Sequence, residues 1–519
     1  MDSVTNIRPH IQPIALANAL SGVEYDVVSG SIDLVEVTGV SVTTLDMEPG
    51  WLFIAMPGIT QHGMKFAPTA IKLGAKAILT DIDGAKQGSQ ADLGVPIIAV
   101  KDPRSATATI AANVYRHPAK HLTTAAITGT NGKTTTSYLI RAVLGARYNS
   151  VAMCGTIETT VGKLTIPAVR TTAEAPVIQR MLALALEEGQ EAAVIETSAH
   201  AISLHRIDAI NYDVVGFTNL QHDHLDYYHS MPEYFEAKAA LFTPTHAKCG
   251  IVCVDDEWGQ QLAKRATIPV ITVAALSDND ADWRVTEISK KIDTNLTSFK
   301  IIDPKGVKHQ VVSPILGEVN VQNCAVAIVM GAALGIDVDA AAAAIASSGQ
   351  VPGRMTVVNP NPESQPMVLV DYAHTPEGLE WTLAAAKSIV SGNVVVVFGT
   401  DGERDPSKRE ELAEIAAKKA DILWVTDENP RSEDPQEIRN QLLRGIERVR
   451  PDFNNVYEIK TCRRDAVRKA ILAAQPGDMV AITGKGPETY QEIDGIRHAY
   501  NDVVVAREVL TQEPRHDKK

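Results

Sequence analysis

The segment best suited to chemistry runs from Thr128 to Thr136 and reads TGTNGKTTT. Its glycines let backbone N–H groups turn inward onto phosphate oxygens. A helix opening after Gly132 adds free amide donors and a favourable dipole. Gly129, Thr130, Asn131 and Gly132 form the turn, and Thr135 continues the run into the helix. Lys133 can reach the β- and γ-phosphates of a nucleoside triphosphate, and the Thr134 hydroxyl can join a magnesium shell. The usual Walker pattern asks for a glycine five residues before Gly132, where Ile127 stands, so this loop is a compact variant. It points to ATP or GTP and leaves open what is done with the nucleotide.

Three further groups lie downstream. Glu196 ends a buried apolar run in Glu196-Thr-Ser-Ala-His200. A carboxylate at a strand's C-terminal edge, facing a phosphate loop, is a natural magnesium ligand, and a cap for the following turn is the competing reading. His222, Asp223, His224 and Asp226 crowd into five residues after another apolar run, which suits metal or phosphate chemistry or a solvated polar turn. Lys238 follows on a helical stretch, where a lone lysine is usually solvated.

The elements that must carry these groups form three α/β regions. The first runs to Pro103, with strands at 51–56, 77–80 and 96–100 and a helix from Ala67 to Leu73 stopped by Gly74. The second runs from 104 to Arg354. It has helices at 106–115 and 134–144, the latter ended by Gly145, and short apolar strands at 124–128, 193–195, 214–218 and 251–254. That alternation predicts a mostly parallel sheet. The third, from Met355 to the end, alternates strands at 368–370, 394–398, 422–425 and 479–483 with helices, a doubly wound, Rossmann-like pattern. Val351-Pro-Gly353 and Asn359-Pro-Asn-Pro362 are the hinge and linker candidates. The expected architecture is therefore a small α/β N-terminal domain at 1–103, a central P-loop ATPase-like parallel sheet at 104–354, and a Rossmann-like C-terminal domain at 355–519.

Composition narrows the partners. A length of 519 residues exceeds one ordinary core, which fits several domains. A formal net charge of -14 argues against nucleic acid while leaving room for a small anionic substrate held by local cations. No apolar run approaches membrane-helix length, and MDSVTNIRPH lacks a basic-then-apolar leader pattern, so a cytoplasmic protein without membrane insertion is expected. Five cysteines, sparse and odd in number, fit a reducing compartment, and no structural zinc spacing stands out.

Together these pieces resemble the Mur ligases, in particular the UDP-N-acetylmuramoyl-tripeptide synthetases. The matching segments are 128–136, Glu196 to His200, Thr218 to Asp226, Gly353-Arg354, Asp371-Tyr-Ala-His-Thr-Pro376, Gly399 with Arg404-Asp405, Asn429-Pro-Arg431 and Gly484-Lys-Gly486, in the family's order across nearly the whole chain. The resemblance implies an ATP-dependent ligase of peptidoglycan precursor synthesis. ATP phosphorylates the D-glutamate side-chain carboxylate of UDP-MurNAc-L-Ala-D-Glu, and the amine of a diamino acid displaces phosphate. It further implies Mg2+ held by Thr134 and Glu196, and a second ion by His224 and Lys238, with Lys238 carrying a carbamate (N6-carboxylysine). Lys133, His224 and Lys238 become the catalytic set. Asn323, Arg354, Asp371 and His374 join 129–135 as ATP contacts. Thr171, Thr172, Ser198 and Arg206 match precursor-binding positions, and Thr44 sits where a serine contacts uridine. The family's Asp-Ser-Arg reads Thr43-Thr44-Leu45 here, and Leu204 and His222 replace a glutamine and an arginine.

By the same resemblance, Arg404, Asn429, Arg431, Gly484 and Glu488 hold the incoming amino acid. An Asp-Asn-Pro-Arg motif marks ligases for meso-diaminopimelate, whose second carboxylate suits a bidentate arginine. Here the segment is Glu428-Asn-Pro-Arg431, and Pro487 replaces a histidine. Meso-diaminopimelate is favoured, with L-lysine or another diamino acid as the alternative. A folylpolyglutamate-synthetase-like ligase and a P-loop binding module without ligase activity are the rivals. A monomer working on small molecules alone is expected.

Overall fold

The computed structural model describes residues 4–58, 60–89, 93–291, 296–359 and 364–512. The linker candidate at 359–362 falls largely outside them. The chain divides into two compact units, Met1–Trp283 with Val326–Ala341, and Arg284–Ala325 with Ala342–Lys519.

Among its described residues the first unit holds two larger sheets and a short antiparallel pair, Ile14–Ala15 with Glu36–Val37. One has five strands in the order Asp26–Ser29, Ile97–Ala99, Ala77–Thr80, Trp51–Ala55, Gly39–Ser41, parallel except at its first pair. Leu52, Ile54, Leu79 and Ile98 form its core with Ile110, Ala111 and Val114 of helix Pro103–Val114. That helix starts at Pro103, three residues before the expected Ala106, because Asp102 caps it and a proline suits its first turn.

The other sheet follows the predicted alternation. Strand Thr123–Thr128 lies between Ala192–Glu196 and Val214–Phe217, all parallel, with Val151–Cys154 beyond the former and Gly250–Cys253 and Val270–Ala274 beyond the latter. An antiparallel hairpin, Glu158–Val161 with Leu164–Pro167, extends it. Registers decide the chemistry here. Glu196 pairs with Ile127 and Phe217 with Thr128, so the C-terminal ends of three strands finish level with the start of the glycine-rich turn. Ligands bind at such carboxyl edges in open α/β sheets. Helix Lys133–Gly145 then runs back with Leu139, Ile140, Val143 and Leu144 buried. Gly145 closes this helix from inside rather than following it.

The second unit contains an element without an expected counterpart. Trp283–Lys291, Leu296–Ile302 and Lys308–Ser313 pair antiparallel. Its C-terminal sheet runs Thr356–Val357, Met367–Val370, Met479–Ile482, Val394–Phe398, Ile422–Val425, Val456–Glu458, parallel after the first pair. Val368, Val370, Val395, Val397, Val480 and Ile482 fill one face against helices Arg463–Ala473 and Asp502–Gln512. Four strands of continuous apolar sequence are therefore buried on both sides, as the doubly wound pattern requires.

Candidate active site

The glycine-rich turn owes its shape to two residues in the left-handed or extended-positive region, Gly129 at φ 149 and Gly132 at φ 85. A side chain at Gly129 would meet the Thr218 hydroxyl at 1.9 Å, so the close approach of the next loop also demands glycine. That loop, Thr218 to Gln221, braces the turn. Asn131 donates its amide to Asn219 Oδ1 at 2.9 Å and its side-chain amide to Gln221 Oε1 at 2.7 Å. Thr130 and Gln221 exchange a further bond, Gln221 N to Thr130 Oγ1 at 2.9 Å. A rigid cradle at a helix N-terminus is what phosphate binding uses.

Two lysines converge on this cradle. Lys133 Nζ donates to the carbonyls of Gly129 at 3.1 Å and Thr130 at 2.9 Å. Lys238 Nζ donates to the same Gly129 carbonyl at 2.7 Å and lies 4.5 Å from the Tyr234 ring centroid. Lys238 is only 1% exposed, so it is not the solvated helical lysine its sequence context suggested. Burial, with Lys133 nearby, pushes its amine well below the usual lysine value, while Asp223 opposes. His224 has φ 56 and packs edge-on to His200 at 4.9 Å and to Tyr234 at 5.8 Å between ring centroids. Desolvation pulls its imidazole down to about 4 against the charge of Asp223, so the ring is neutral at ordinary pH.

Glu196 is fully buried. Oε1 accepts from Thr134 Oγ1 at 3.0 Å and Thr156 Oγ1 at 2.8 Å, and Oε2 accepts from Thr156 N at 2.9 Å. Carboxylate and Thr134 hydroxyl thus present adjacent hard oxygens beside the cradle, a donor pair suited to magnesium. Among the described residues, no three His, Cys, Asp or Glu side chains converge as a ready-made metal cage.

Thr171, Thr172, Ser198 and Arg206 are brought together on the other side of Glu196. Thr172 Oγ1 donates to the Glu196 carbonyl at 2.7 Å and accepts from Ser198 N at 3.0 Å. Arg206 Nη1 donates to the Thr172 carbonyl at 3.0 Å, and Thr171 Oγ1 meets Thr156 Oγ1 at 3.1 Å. Thr44 opens the single turn Thr44–Asp46, capped by Thr43. Asp46 of that turn is buried against Arg180 at 2.6 Å.

The remaining candidates belong to the second unit. Asn323 is buried and donates to Asn320 Oδ1 at 2.9 Å. Asp371 accepts from Met355 N at 2.7 Å, Ala373 N at 2.9 Å and Thr382 Oγ1 at 2.9 Å. The Arg354 guanidinium lies 4.3 Å from the Tyr372 ring centroid, and the His374 ring 4.7 Å from the same ring. Asn429, Arg431, Gly484 and Glu488 form one polar pocket. Asn429 Nδ2 donates to Asp401 Oδ1 at 2.9 Å and Glu488 Oε2 at 3.0 Å. Arg431, at φ 54, donates to Asp401 Oδ2 and to the Gly402 carbonyl, each at 2.9 Å. Arg404 is exposed on the loop after strand Val394–Phe398.

Several contributors escaped the sequence reading: Thr156, Gln221, Asp401 and Lys485. Lys485 is buried and donates to Asn429 Oδ1 at 2.8 Å and Glu488 Oε2 at 2.6 Å. Its place in Gly484-Lys-Gly486 was a usable signal, whereas Thr156 stands in no motif. Glu428 is 3% exposed, and burial beside Asp401 and Glu488 holds its carboxyl well above the ordinary value, with Lys485 opposing.

Three family models match the chain: "Mur ligase family, catalytic domain" at residues 36–115, "Mur ligase middle domain" at 127–331, and "Mur ligase, glutamate ligase domain" at 353–486. A UDP-N-acetylmuramyl-tripeptide synthetase of Leifsonia xyli subsp. xyli is 42% identical over 95% of each chain. A UDP-N-acetylmuramoyl-L-alanyl-D-glutamate–2,6-diaminopimelate ligase of Streptomyces coelicolor is 40% identical over 92% of each chain. A solved structure of a ligase with that same name shares 29% identity, covers 96% of this chain and 99% of its own, and superposes with a TM-score of 0.64. The three-domain α/β architecture expected from the strand and helix pattern is that of these neighbours.

Proposed function

We propose a reaction for this chain from one premise: the chain belongs to the Mur ligase family, whose members are ATP-dependent ligases that form amide bonds. The reaction is the ATP-dependent addition of meso-diaminopimelate to UDP-N-acetylmuramoyl-L-alanyl-D-glutamate. The observation that carries it is identity of 37–40% over about nine-tenths of the chain to Streptomyces and Corynebacterium ligases bearing that name. ATP phosphorylates the side-chain carboxylate of the D-glutamate, giving an acyl phosphate and ADP. The diamino acid's amine then attacks the acyl carbon, loses a proton, and displaces phosphate.

This chain's residues supply binding, orientation and charge. The 129–135 turn holds the triphosphate, with Lys133 swinging from loop carbonyls to phosphate oxygens. Thr171, Thr172, Ser198 and Arg206 hold the precursor, and Thr44 lies on its uridine side. Asn323, Arg354, Asp371 and His374, within the second unit, are our candidate nucleotide contacts by the family resemblance alone. Thr134 and Glu196 would hold one Mg2+, and His224 with Lys238 a second, supported by the neighbouring oxygens of the first pair and the neutral imidazole of the second. Bound magnesium lowers the repulsion between triphosphate and carboxylate. Burial, which lowers the Lys238 amine, favours its deprotonated form, and that form can add to carbon dioxide and release a proton, turning a poor ligand into an anionic oxygen donor. The boundaries 1–103, 104–354 and 355–519 remain our domain assignment; the three matched ranges follow the same order, with the first running on to residue 115. Dependence on ATP supports a cytoplasmic enzyme, and no helix among the described residues is long and apolar enough to cross a membrane.

The amino-acid pocket gives a second reading a foothold. Arg431 is engaged by Asp401 and Lys485 by Glu488, while Glu428, whose carboxyl burial holds towards its neutral form, adds further oxygen acceptors. Carboxyl oxygens suit a distal ammonium, so L-lysine or another diamino acid is the alternative. Phosphate release by the purified protein with precursor, ATP and a panel of amino acids tests both. Fastest turnover with meso-diaminopimelate is expected; release without any diamino acid would remove the ligase reading.

A further inference from the structure

Three guanidinium groups gather on a single carboxylate beside the precursor-side threonines. Arg206 Nη2 lies 3.0 Å from Glu174 Oε1, Arg170 Nη1 pairs with the same oxygen, and Arg104 Nη1 stands 3.6 Å from Glu174 Oε2. Three cations against one anion leave a local excess of two positive charges. The Arg206 side chain is only 10% exposed, so its own charge is poorly screened, while Arg104 at 31% and Arg170 at 54% reach solvent from the rim of the cluster. Burial pulls the Arg206 guanidinium below the ordinary arginine value, with Glu174 opposing and Arg170 and Arg104 adding to the fall. Two donors are buried without a hydrogen-bond partner among the described residues, Arg206 Nε and Arg104 Nη1. Buried donors of charged groups are seldom left unmade unless something else arrives to accept. A folding role alone would call for a second carboxylate, and among the described residues only Glu174 pairs with these three arginines.

We propose that Arg104 and Arg170 join Arg206 in a three-arginine site that receives an oxyanion of the UDP-linked precursor. The inference rests on the precursor reading and adds two residues to it. Arg206 also donates to the Thr172 carbonyl, which ties the cluster to the Thr171–Thr172 pair and, through Thr172 Oγ1, to Glu196. Arg104 stands in the first turn of helix Pro103–Val114, the element that follows the first sheet. The cluster thus stands where the first sheet's last helix meets the loop leading into helix Ala175–Glu187. A fork of guanidiniums pairs with phosphate or carboxylate oxygens in the same planar geometry, so the shared chemistry is a polyoxygen anion. Apart from the side-chain carboxylate that reacts, the precursor carries two such groups, its diphosphate and its D-glutamate backbone carboxylate.

The test uses the full-length protein and Arg104→Gln, Arg170→Gln and the conservative Arg104→Lys. Wild-type ligation with UDP-N-acetylmuramoyl-L-alanyl-D-glutamate is the control, and its failure would sink the precursor reading itself. Each Gln variant should raise the precursor KM roughly tenfold more than the ATP KM, and should flatten the dependence of precursor KM on salt. Arg104→Lys should recover part of the affinity. Binding of UDP-N-acetylglucosamine, which has the diphosphate and no peptide, separates the two sources. Equal weakening with this probe assigns the site to the diphosphate. Weakening confined to the dipeptide precursor assigns it to the carboxylate. Gln variants that ligate with unchanged precursor KM and unchanged salt dependence would overturn the proposal.

Discussion

Lys133 holds two loop carbonyls, Gly129 at 3.1 Å and Thr130 at 2.9 Å, so the contacts it makes are ones a phosphate can replace at little cost to the fold. Lys133→Ala should therefore keep its circular dichroism spectrum and melting temperature while ligation falls about 100- to 1000-fold. Near-normal turnover would show that the cradle does not hold the transferred phosphoryl group. Glu428 offers the opposite case, a group whose burden is on stability. Its carboxyl is raised well above the ordinary value by burial and by Asp401 and Glu488. The folded protein therefore keeps a proton that the unfolded chain gives up above about pH 4.5, and stability contributed by this group is lost as pH rises from there towards the folded value. Glu428→Gln, which stays neutral, should gain stability over the native chain across that window, with the gap widening as pH rises. Denaturant midpoints at pH 5 and pH 8 that shift equally for both proteins would refute it. At this scale the sequence told most where a residue type has one obvious use. Glu196 at the end of an apolar run was readable, and Lys133 after glycines was too. Lys238 was not readable from its helix, because its burial depends on Tyr234 and on a carbonyl 109 residues away. Thr156 and Asp401 were silent for the same reason: their partners are distant in sequence.

Elements were more legible than residues, and unevenly so. Runs such as Val394–Phe398 and Ile422–Val425 are apolar throughout, and a strand buried on both faces needs nothing more to announce it. The antiparallel pair Leu296–Ile302 and Lys308–Ser313 was missed. Its buried residues alternate with partly exposed ones, and Lys300, Lys308 and Ser298 on the outer face break the apolar signal. The hinge candidate at Val351–Arg354 proves to be closely packed. Gly353 has φ 63, and a side chain there would meet Pro487 N at 2.0 Å and Gly486 C at 2.2 Å. Both backbone conformation and space thus demand glycine. Gly353→Ala should lose about 2–4 kcal/mol of stability, combining strain in the left-handed region with overpacking against backbone. An alanine variant within about 0.5 kcal/mol of the native chain in denaturant unfolding would mean the 484–487 loop moves aside freely, and the hinge would then be looser than its packing implies.

At the scale of the whole molecule, the two compact units divide the candidate sites between them. Lys133, Glu196, Thr171, Thr172, Ser198, Arg206 and Thr44 all lie in Met1–Trp283, whereas Arg404, Asn429, Arg431, Gly484 and Glu488 all lie in Ala342–Lys519. Each unit has its own buried core, so unfolding need not be a single cooperative event. A ligand that binds one folded unit stabilises that unit by mass action, about 2.7 kcal/mol at a hundredfold excess over its Kd. Differential scanning calorimetry of the ligand-free protein should accordingly give a calorimetric enthalpy larger than the van't Hoff enthalpy, with two component transitions. The UDP-linked precursor should raise one of them and the diamino acid the other. The identity of the second follows from Arg431→Ala. That change removes the guanidinium paired with Asp401 and should abolish the shift produced by meso-diaminopimelate while leaving the precursor's shift in place. L-Lysine, lacking the second carboxylate, should lose far less of whatever shift it produces. If meso-diaminopimelate moves the Arg431→Ala transition as far as the native one, Arg431 serves Asp401 rather than the substrate, and the selection of the amino acid must rest on the acidic side of the pocket, with Glu428 and Glu488 accepting a distal ammonium.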